Sequence, residues 1–301
     1  MPQTLIEFAK TVSDPVRKGI IETLYLEEPI YQYIPWRPVP GLALPYTSEK
    51  ELPSVGFRKL NEAFAESVGV VQRNVETLKP FGGDSDTDKV LVDAYGNSER
   101  AVRDQMFAKA MAIKYIQFLC YGNSPASRAG VAYDDVDGFD GLMNRITAAQ
   151  TVDGGATGKT DGSSVFAIRF GDGYVQGLNT PNGVDSRDLG EQDSKPVMRT
   201  RIDMTAGLAI YHGKAVAYIK DLAAAGTLLT VDMMDELRDK IAGPPSVYIM
   251  SKRSRRQLLI NARGLGINFG MTLDQLGRPI EAWGGVPIIV SDAIIDTETN
   301  T

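Results

Sequence analysis

The sequence predicts an α+β fold in which one long helix is the central element. Residues 97–121 form the clearest helical segment of the chain. Around it, strand-like segments and shorter helices are mixed without the strict strand–helix–strand alternation of an α/β protein. The sequence contains no internal repeat. We therefore expect mostly antiparallel strands packed with a few helices.

Composition excludes several classes of function. The 301 residues are 43% hydrophobic and 23% charged, which is ordinary for a folded protein. A net charge of −6 argues against a protein whose main task is to grip nucleic acid phosphates, although it leaves room for one basic face. Cys120 and His212 are the only residues of their types, so we expect no disulfide, zinc site, Cys–His catalytic pair or cofactor. We expect no enzyme activity.

The N-terminal residues 1–26 are expected to form a short arm followed by a small helix. Asp14 and Pro15 supply an N-cap with proline at the first helical position. The helix would carry one narrow apolar stripe, so it should lie on another part of the molecule or on a neighbour. Neither a signal peptide nor a long apolar segment is present, so synthesis in the cytosol is expected.

The segment 28–41 contains four prolines interleaved with aromatic residues. Proline removes backbone donors and favours an extended path. The segment is either a stiff linker or an arm that runs along a subunit boundary, and both interpretations remain open.

Residues 42–93 have the pattern of one long, polar, antiparallel excursion. Its strand-like parts are 46–60 and 68–78, while 81–86 are expected to form a flexible turn and 89–92 to lead back to the long helix. A hairpin with so few core residues is a liability unless something covers it, so we expect a neighbouring subunit to do so.

The long helix is expected to begin after an N-cap at Ser98 and to end at Gly122. At about 1.5 Å per residue it would be roughly 36 Å long; we call residues 98–121 the spine helix. Two apolar stripes cover more than half its circumference, which predicts burial along most of its length. Its charged side chains are expected to face the hairpin, a neighbour or the inner surface of an assembly: Arg100, Arg103, Lys109 and Lys114.

The remaining chain alternates strands, turns and two capped helices. Residues 164–170 and 174–178 predict a hairpin around 171–173, followed by strands at 196–211 and 214–219. Thr230 or Asp232 is expected to cap a helix reaching Ile241. Further expected elements are a strand at 246–250, a basic helix capped by Ser251 and a final strand at 286–290.

Several motifs imitate ligand sites without meeting their requirements. Residues 154–160 resemble a phosphate loop, but Asp153 stands where the motif needs glycine and a strand follows instead of a helix. The glycines at 171–177 are better explained by a turn than by a dinucleotide fingerprint. The basic cluster is more typical of a solvated helix face than of a phosphate site: Lys252, Arg253, Arg255 and Arg256. An acidic cluster fits no EF-hand spacing and is better explained by loop solvation: Asp134, Asp135, Asp137 and Asp140.

The ordered set of segments resembles the major capsid proteins of tailed bacteriophages, which have the Hong Kong 97-like fold. The order is an arm, a charged hairpin, a spine helix and an α+β domain, and the likeness covers nearly the whole chain. Five segments carry it locally: 139–142, 164–177, 199–219, 246–251 and 283–292.

The resemblance implies a division of the chain into four parts. Residues 1–36 would be the N-terminal arm, and 37–93 the extended loop with flanking strands of the peripheral domain. Residues 94–150 would be the peripheral domain, with the spine helix. Residues 151–301 would be the outer, or axial, domain with returning peripheral strands. In relatives, the segment like 285–288 precedes the strands like 164–170, so the outer domain is either permuted or assembled in an unusual order.

The resemblance also implies a shell-building function. Subunits would form pentamers and hexamers of an icosahedral shell around double-stranded DNA, in a virion assembled in the host bacterial cytoplasm. Partners would be further copies of the chain, the portal, scaffolding or decoration proteins, and DNA contacted non-specifically, with no membrane. One alternative is an encapsulin-like nanocompartment with an enzyme cargo. A second alternative is an enzyme that uses the glycine-rich loop. The residues expected at assembly interfaces are Pro15, Tyr33, Trp36, Arg37, Glu49, Lys50, Glu51, Arg58, Lys59, Glu62 and Arg73.

Overall fold

The computed structural model describes residues 28–96, 98–124, 138–156, 158–180, 184–192, 195–267, 269–273 and 277–299. The predicted arm helix with Pro15, and three of the four clustered aspartates, lie outside the described residues.

The first half of the described chain carries the hairpin and the spine helix. A 3-10 helix at Pro29–Gln32 comes first. The strands are β1 (Trp36–Pro38), β2 (Ala43–Glu51), β3 (Val70–Thr77) and β4 (Lys79–Asp88). The helices are α1 (Lys89–Tyr95), the spine helix α2 (Ser98–Tyr121) and α3 (Leu142–Arg145).

The second half is rich in strands. The strands are β5 (Thr151–Asp153), β6 (Ser163–Ile168), β7 (Val175–Thr180), β8 (Val184–Gln192), β9 (Lys195–Ile210), β10 (Val216–Leu222), β11 (Val247–Met250), β12 (Gly270–Leu273), β13 (Pro279–Trp283) and β14 (Val286–Val290). Two helices lie among them, α4 (Val231–Asp239) and α5 (Lys252–Gly264).

The strands form three sheets. A five-stranded sheet has the order β1-β7-β9-β4, with β8 also paired to β9, and a seven-stranded sheet has the order β12-β13-β14-β11-β6-β10-β5. Strands β2 and β3 pair only with each other. Most pairs are antiparallel, and the parallel ones are β1–β7, β5–β10 and β11–β14. The α+β class predicted from the sequence is confirmed.

The spine helix has the predicted bounds, Ser98–Tyr121, but the expectation of burial along most of its length was wrong. Burial is concentrated in the C-terminal half, where Tyr115, Ile116 and Leu119 are fully buried. In the other half, Asp104 and Ala108 are buried, but Met106 is 68% exposed. The cause is that the main apolar core lies beside the last turns only, and the N-terminal half rests on the edge of β4 and β9 with one narrow face.

Residues 81–86 were predicted to be a flexible turn, and this was wrong. They lie inside β4, whose ten residues pair in unbroken register with β9 from Lys79↔Ala206 to Asp88↔Val197. The glycines serve close approach rather than a turn. A Cβ on Gly82 would collide with the carbonyl oxygen of Ile202, and one on Gly83 would lie 2.6 Å from Cζ of Phe107.

The predicted hairpin at 164–178 was also wrong, although both of its strands exist. Strand β6 pairs with β10 and β11, whereas β7 pairs with β9 and β1 in the other sheet. The turn at 171–173 therefore carries the chain from one sheet to the other. Side chains pack across this turn, where the guanidinium of Arg169 lies 3.8 Å from the ring centroid of Tyr174.

The seven-stranded sheet separates two apolar cores. Along β6, Phe166 and Ile168 face the core shared with the spine helix, while Val165 and Ala167 face a second core with α4 and α5. This alternation is the period of two expected of a strand buried on both faces. The Thr230 side chain caps α4 and the Ser251 side chain caps α5, as predicted. Strands β5, β8, β12 and β13 were not predicted.

Candidate assembly surface

The hairpin of β2 and β3 ends in a tip, residues 52–69, that the protomer itself does not cover. Every side chain from Glu51 to Val68 is exposed. Six of them are large and apolar, each more than two-thirds exposed: Leu52, Val55, Phe57, Leu60, Phe64 and Val68. Exposed apolar side chains in such number are typical of sites of protein–protein contact.

The tip has local order of its own. The guanidinium of Arg58 lies 5.1 Å from the ring centroid of Phe64, and its Nη1 donates a hydrogen bond to the carbonyl oxygen of Glu62 at 3.0 Å. The backbone N–H of Ser54 donates to Oγ of Ser67 at 2.8 Å. These contacts close the tip into a loop that presents its apolar side chains outward.

The root of the hairpin is held by a partly buried ion pair. Arg145 of α3 donates from Nη1 to Oε1 of Glu76 at 2.7 Å and from Nη2 to Oε2 at 2.9 Å. The two side chains are 18% and 17% exposed. A bidentate arginine–carboxylate pair fixes orientation as well as distance. It therefore sets the direction in which the hairpin leaves the protomer.

Tyr46 reinforces the same root from the other strand. Its hydroxyl lies 3.0 Å from both Oε1 of Glu76 and the carbonyl oxygen of Ile210, and its ring packs edge-on against Tyr211 at 4.8 Å. Burial, with the adjacent Glu76 carboxylate, raises the pKa of Tyr46 to about 12. The phenol is thus neutral at physiological pH and available as a hydrogen-bond donor.

The structure separates the predicted assembly residues into several groups. Glu51, Arg58, Lys59 and Glu62 are exposed at or next to the tip, and Arg73 is exposed on β3. Glu49 and Lys50 belong to β2, but their side chains lie outside the described part.

Two aromatic residues in that predicted set lie beneath the surface. Trp36 is 6% exposed, stacked 6.2 Å from Tyr31 and 5.4 Å from Tyr115. We therefore remove Trp36 from the assembly set, because its ring lies inside the protomer. Tyr33 is half-buried against the same core. Arg37 is exposed and donates to the Tyr211 hydroxyl at 2.8 Å. The segment from Pro29 to Pro38 therefore packs into the core of its own protomer over most of its length, which is more than a stiff linker would do. An arm that runs along a subunit boundary stays a prediction.

Sequence reasoning missed the apolar residues of the tip and the Arg145–Glu76 pair. The residues of the tip were predicted to lie at an interface because of their charges. Phe57, Leu60 and Phe64 could also have indicated an interface, because they are large apolar residues that stand among glycine and charged residues. Glu76 and Arg145 are 69 residues apart, and no local pattern connects them.

The five-stranded sheet carries a ladder of arginine–aspartate pairs. Arg199 Nε donates to Asp86 at 2.6 Å and Arg201 Nε to Asp84 at 2.8 Å. These hydrogen bonds hold the pKa values of both aspartates below their usual range. Arg100 of the spine helix also faces this sheet, donating to Thr200 at 2.8 Å. Its predicted orientation toward the hairpin or an assembly surface was wrong.

The rejected ligand motifs have structural roles. Lys159 donates to the carbonyl oxygen of Ala225, and the glycine-rich segment leads into β6 rather than a helix. In the basic cluster, Lys252 pairs with Asp292 at 2.6 Å and Arg255 with Glu281 at 2.7 Å. Arg253 donates to the backbone oxygen of Asp161 at 2.6 Å. These pairs fit the predicted solvated helix face. In the described ranges, no helix has the length and apolar character needed to cross a bilayer.

Comparison of the chain with models of known protein families gives one match. Residues 14–301 match the family model described as "Major capsid protein GP7". The structure of bacteriophage Epsilon15 contains a similar chain, with a TM-score of 0.57 at 16% identity, covering 88% of this chain and 87% of that one. No curated protein sequence is significantly similar to the chain.

Two further solved structures are more distant. The procapsid of bacteriophage JBD30 gives a TM-score of 0.47 at 12% identity, covering 85% of this chain and 90% of that one. The SrpI encapsulin of Synechococcus elongatus PCC 7942 gives 0.45 at 14% identity, covering 66% and 89%. The Epsilon15 structure shares the fold of this chain. The match over residues 14–301 shows that the chain belongs to the family of the major capsid protein GP7.

Proposed function

We propose that this chain forms pentamers and hexamers that close into an icosahedral shell around double-stranded DNA, and that the hairpin tip of each subunit lies on its neighbour. The observation that carries the proposal is the tip itself. Its large apolar side chains have no cover in their own protomer, although the hairpin root is fixed by a bidentate ion pair. A rigidly aimed, uncovered apolar loop fits a contact between subunits.

Repetition by symmetry explains how a modest contact suffices. Each copy gives one tip and receives one, so a closed ring gains as many contacts as it has subunits. Fully burying a leucine- or phenylalanine-sized side chain is worth about 1.5–3 kcal/mol. Several such side chains per tip supply a useful association energy even after ordering costs are subtracted.

The four-part division from arm to outer domain belongs to the same proposal. The five-stranded sheet, the spine helix and the hairpin root would form the peripheral domain, and the seven-stranded sheet with α4 and α5 the outer domain. Further proposed partners are the portal, scaffolding or decoration proteins, and packaged DNA. We place assembly in the host bacterial cytoplasm, and we assign the chain no catalytic role.

Mutation of the tip tests the proposal. Phe57→Ser and Leu60→Ser together should abolish particles in light scattering and electron microscopy while leaving the thermal unfolding of the protomer unchanged. Leu228→Ser, at a 40% exposed leucine away from the hairpin, is the matched control and should still assemble. Particles of normal yield from the tip variant would overturn the proposed role of the tip.

Particle contents test what the shell encloses. Purified particles should contain nuclease-protected double-stranded DNA. Particles that contain an enzyme cargo and no DNA would instead support an encapsulin-like nanocompartment. A protein that stays monomeric under all assembly conditions would contradict both forms of shell.

A further inference from the structure

The last described residues, 291–299, contact both the spine helix and the seven-stranded sheet. Residue Glu298 forms an isolated antiparallel bridge with Gly162, with N–H to oxygen distances of 2.8 and 3.0 Å in the two directions. Its side chain points into the protein and is 3% exposed. A glutamate this buried requires an explanation, because an ionised carboxylate loses its hydration there.

The carboxyl of Glu298 contacts one residue of the spine helix and one of the seven-stranded sheet. The hydroxyl of Tyr121, the last residue of the spine helix, donates to Oε1 at 2.6 Å. The hydroxyl of Ser164, in β6, donates to Oε2 at 2.5 Å. Both partners are themselves buried. One carboxyl group therefore connects three elements: the C-terminal segment, the spine helix and the sheet.

The charge next to this carboxyl is unfavourable for an anion. Asp221, on β10, is 4% exposed and acts on Glu298 as a like charge. Its backbone is in the left-handed region, with φ of 57°, where β10 loses register with β6 between Ile219 and Leu222. Lys220 Nζ lies 2.7 Å from the Asp221 carboxylate, so Lys220 forms an ion pair with Asp221.

We propose that residues 291–299 act as a pH-sensitive latch, closed when the Glu298 carboxyl is protonated between Tyr121 and Ser164 and loosened when that carboxyl ionises beside Asp221. The geometry supplies the latch, because both hydroxyl partners belong to elements that the segment would release. A protonated carboxyl can exchange hydrogen bonds with two hydroxyls at no electrostatic cost, whereas the carboxylate must remain charged in an apolar site.

The direction of the pH effect follows from linkage. Burial, with a smaller contribution from Asp221, raises the pKa of Glu298 to about 7, and the hydrogen bonds from Ser164 and Tyr121 oppose this shift only in part. In the released segment the carboxyl would regain its ordinary value of about 4.3. The closed state is therefore favoured below the ordinary value, and this advantage is lost as pH rises through about 7. The opening equilibrium should change by on the order of a hundredfold.

Several other ionisable groups lie around the latch. Burial raises the pKa values of Tyr121 and Cys120, so both stay neutral. At the start of the segment, Ser291 donates to the carboxylate of Glu28 at 2.7 Å, and Asp292 and Asp296 face Lys252 and Arg253. The carboxyl of Glu298 is the one that joins the latch to both the spine helix and the seven-stranded sheet.

Hydrogen–deuterium exchange of the purified protein tests the latch. After correction for the intrinsic exchange rate, amide protection in 291–299 and 162–166 should fall by about 10-fold between pH 6 and 8 in the natural sequence and level off above about pH 7. The internal reference is β11, whose protection should stay constant. Glu298→Gln should remove the pH step. Asp221→Asn should move the midpoint of the step to a lower pH, because the loss of the like charge makes ionisation of Glu298 easier.

Controls make the outcome decisive. Glu281→Gln, at a glutamate paired with Arg255 in the same domain, should leave the step unchanged. A step of the same size and midpoint in Glu298→Gln, or no step in the natural sequence, would overturn the latch. If Glu298→Gln does not fold, Asp221→Asn decides alone, because an unmoved midpoint contradicts the proposed pairing. Exchange is measured on the protomer, so this outcome does not depend on whether shells form.

Discussion

Arg145 and Glu76 are joined by two hydrogen bonds, of 2.7 and 2.9 Å, and this pair ties a short helix beside the core to a hairpin whose tip is wholly exposed. The side chains are less than one-fifth exposed, so their attraction is screened less than that of a surface pair. The same arginine also lies 3.2 Å from the carbonyl oxygen of Leu208, which links the hairpin root to β9.

Breaking this pair should destabilise the protomer. Glu76→Ala leaves a partly buried guanidinium without its carboxylate, and we expect a loss of about 2 kcal/mol, between the values for exposed and fully buried pairs. Urea unfolding measures the change. Lys252→Ala is the control, since its pair with Asp292 is 73% and 62% exposed and should contribute less than about 1 kcal/mol. Equal losses in the two variants would contradict a special role for the root.

Strand β4 should be intolerant of side chains at its two glycines. Gly82→Ala forces a methyl group against the backbone of β9, and a loss of about 3 kcal/mol is expected because a backbone atom cannot move aside. Gly83→Ala meets only the tip of the half-buried Phe107 ring, so a smaller loss of about 1 kcal/mol is expected.

Gly56→Ala provides the control for these glycine variants. Its Cβ would have nothing within 4 Å, so thermal unfolding should be unchanged or slightly raised. If Gly82→Ala were as stable as Gly56→Ala, residues 81–86 would not be paired as β4.

The thiol of Cys120 should report on the integrity of the core. It is fully buried, and burial together with Glu28 and Glu298 raises its pKa far above the ordinary range, so neither access nor ionisation favours reaction. A water-soluble disulfide reagent at pH 8 should label the native protein at least about 100-fold more slowly than the unfolded chain. Rapid labelling under native conditions would mean that the end of the spine helix is open to solvent.

The arginine–aspartate ladder should make the free energy of unfolding decrease at acid pH. Asp84 and Asp86 have pKa values lowered by Arg201 and Arg199, so their contribution is present above the ordinary aspartate pKa and is lost as pH falls through the lowered values. The double variant Asp84→Asn with Asp86→Asn should be less stable than the natural sequence at pH 7. The difference should shrink below about pH 4. A difference that stays constant down to pH 2 would exclude this cause.

Local chemistry made part of the fold predictable. The bounds of the spine helix, the caps at Thr230 and Ser251 and the strand at 247–250 all follow from signals within a few residues. The predictions failed where the conformation of a segment depends on residues that are distant in the sequence. Gly82 and Gly83 have the composition of a turn, and only the approach of β9 and Phe107 makes them strand residues.

The candidate surface divides in the same way. The charged hairpin and its polar exposure were predictable, because charge density alone keeps a segment out of the core. The ion pair at its root and the burial of Trp36 depended on contacts across 69 and 79 residues, to Glu76 from Arg145 and to Tyr115 from Trp36. No pattern in a single sequence records such pairings.

The path of the chain through the seven-stranded sheet has a kinetic consequence. Strands β5 and β6 enter that sheet, three strands of the other sheet follow, and β10 then returns to pair with both β5 and β6. Strand β11 forms the second neighbour of β6, so that side of β6 stays unpaired until β11 has been synthesised. Strand β11 in turn needs β14 as its second neighbour. Closing such long loops is slow relative to local pairing. During synthesis, the edge of β6 that pairs with β11 therefore stays unpaired until more than 80 further residues have left the ribosome. While it is unpaired, this edge exposes the nascent chain to pairing with wrong partners.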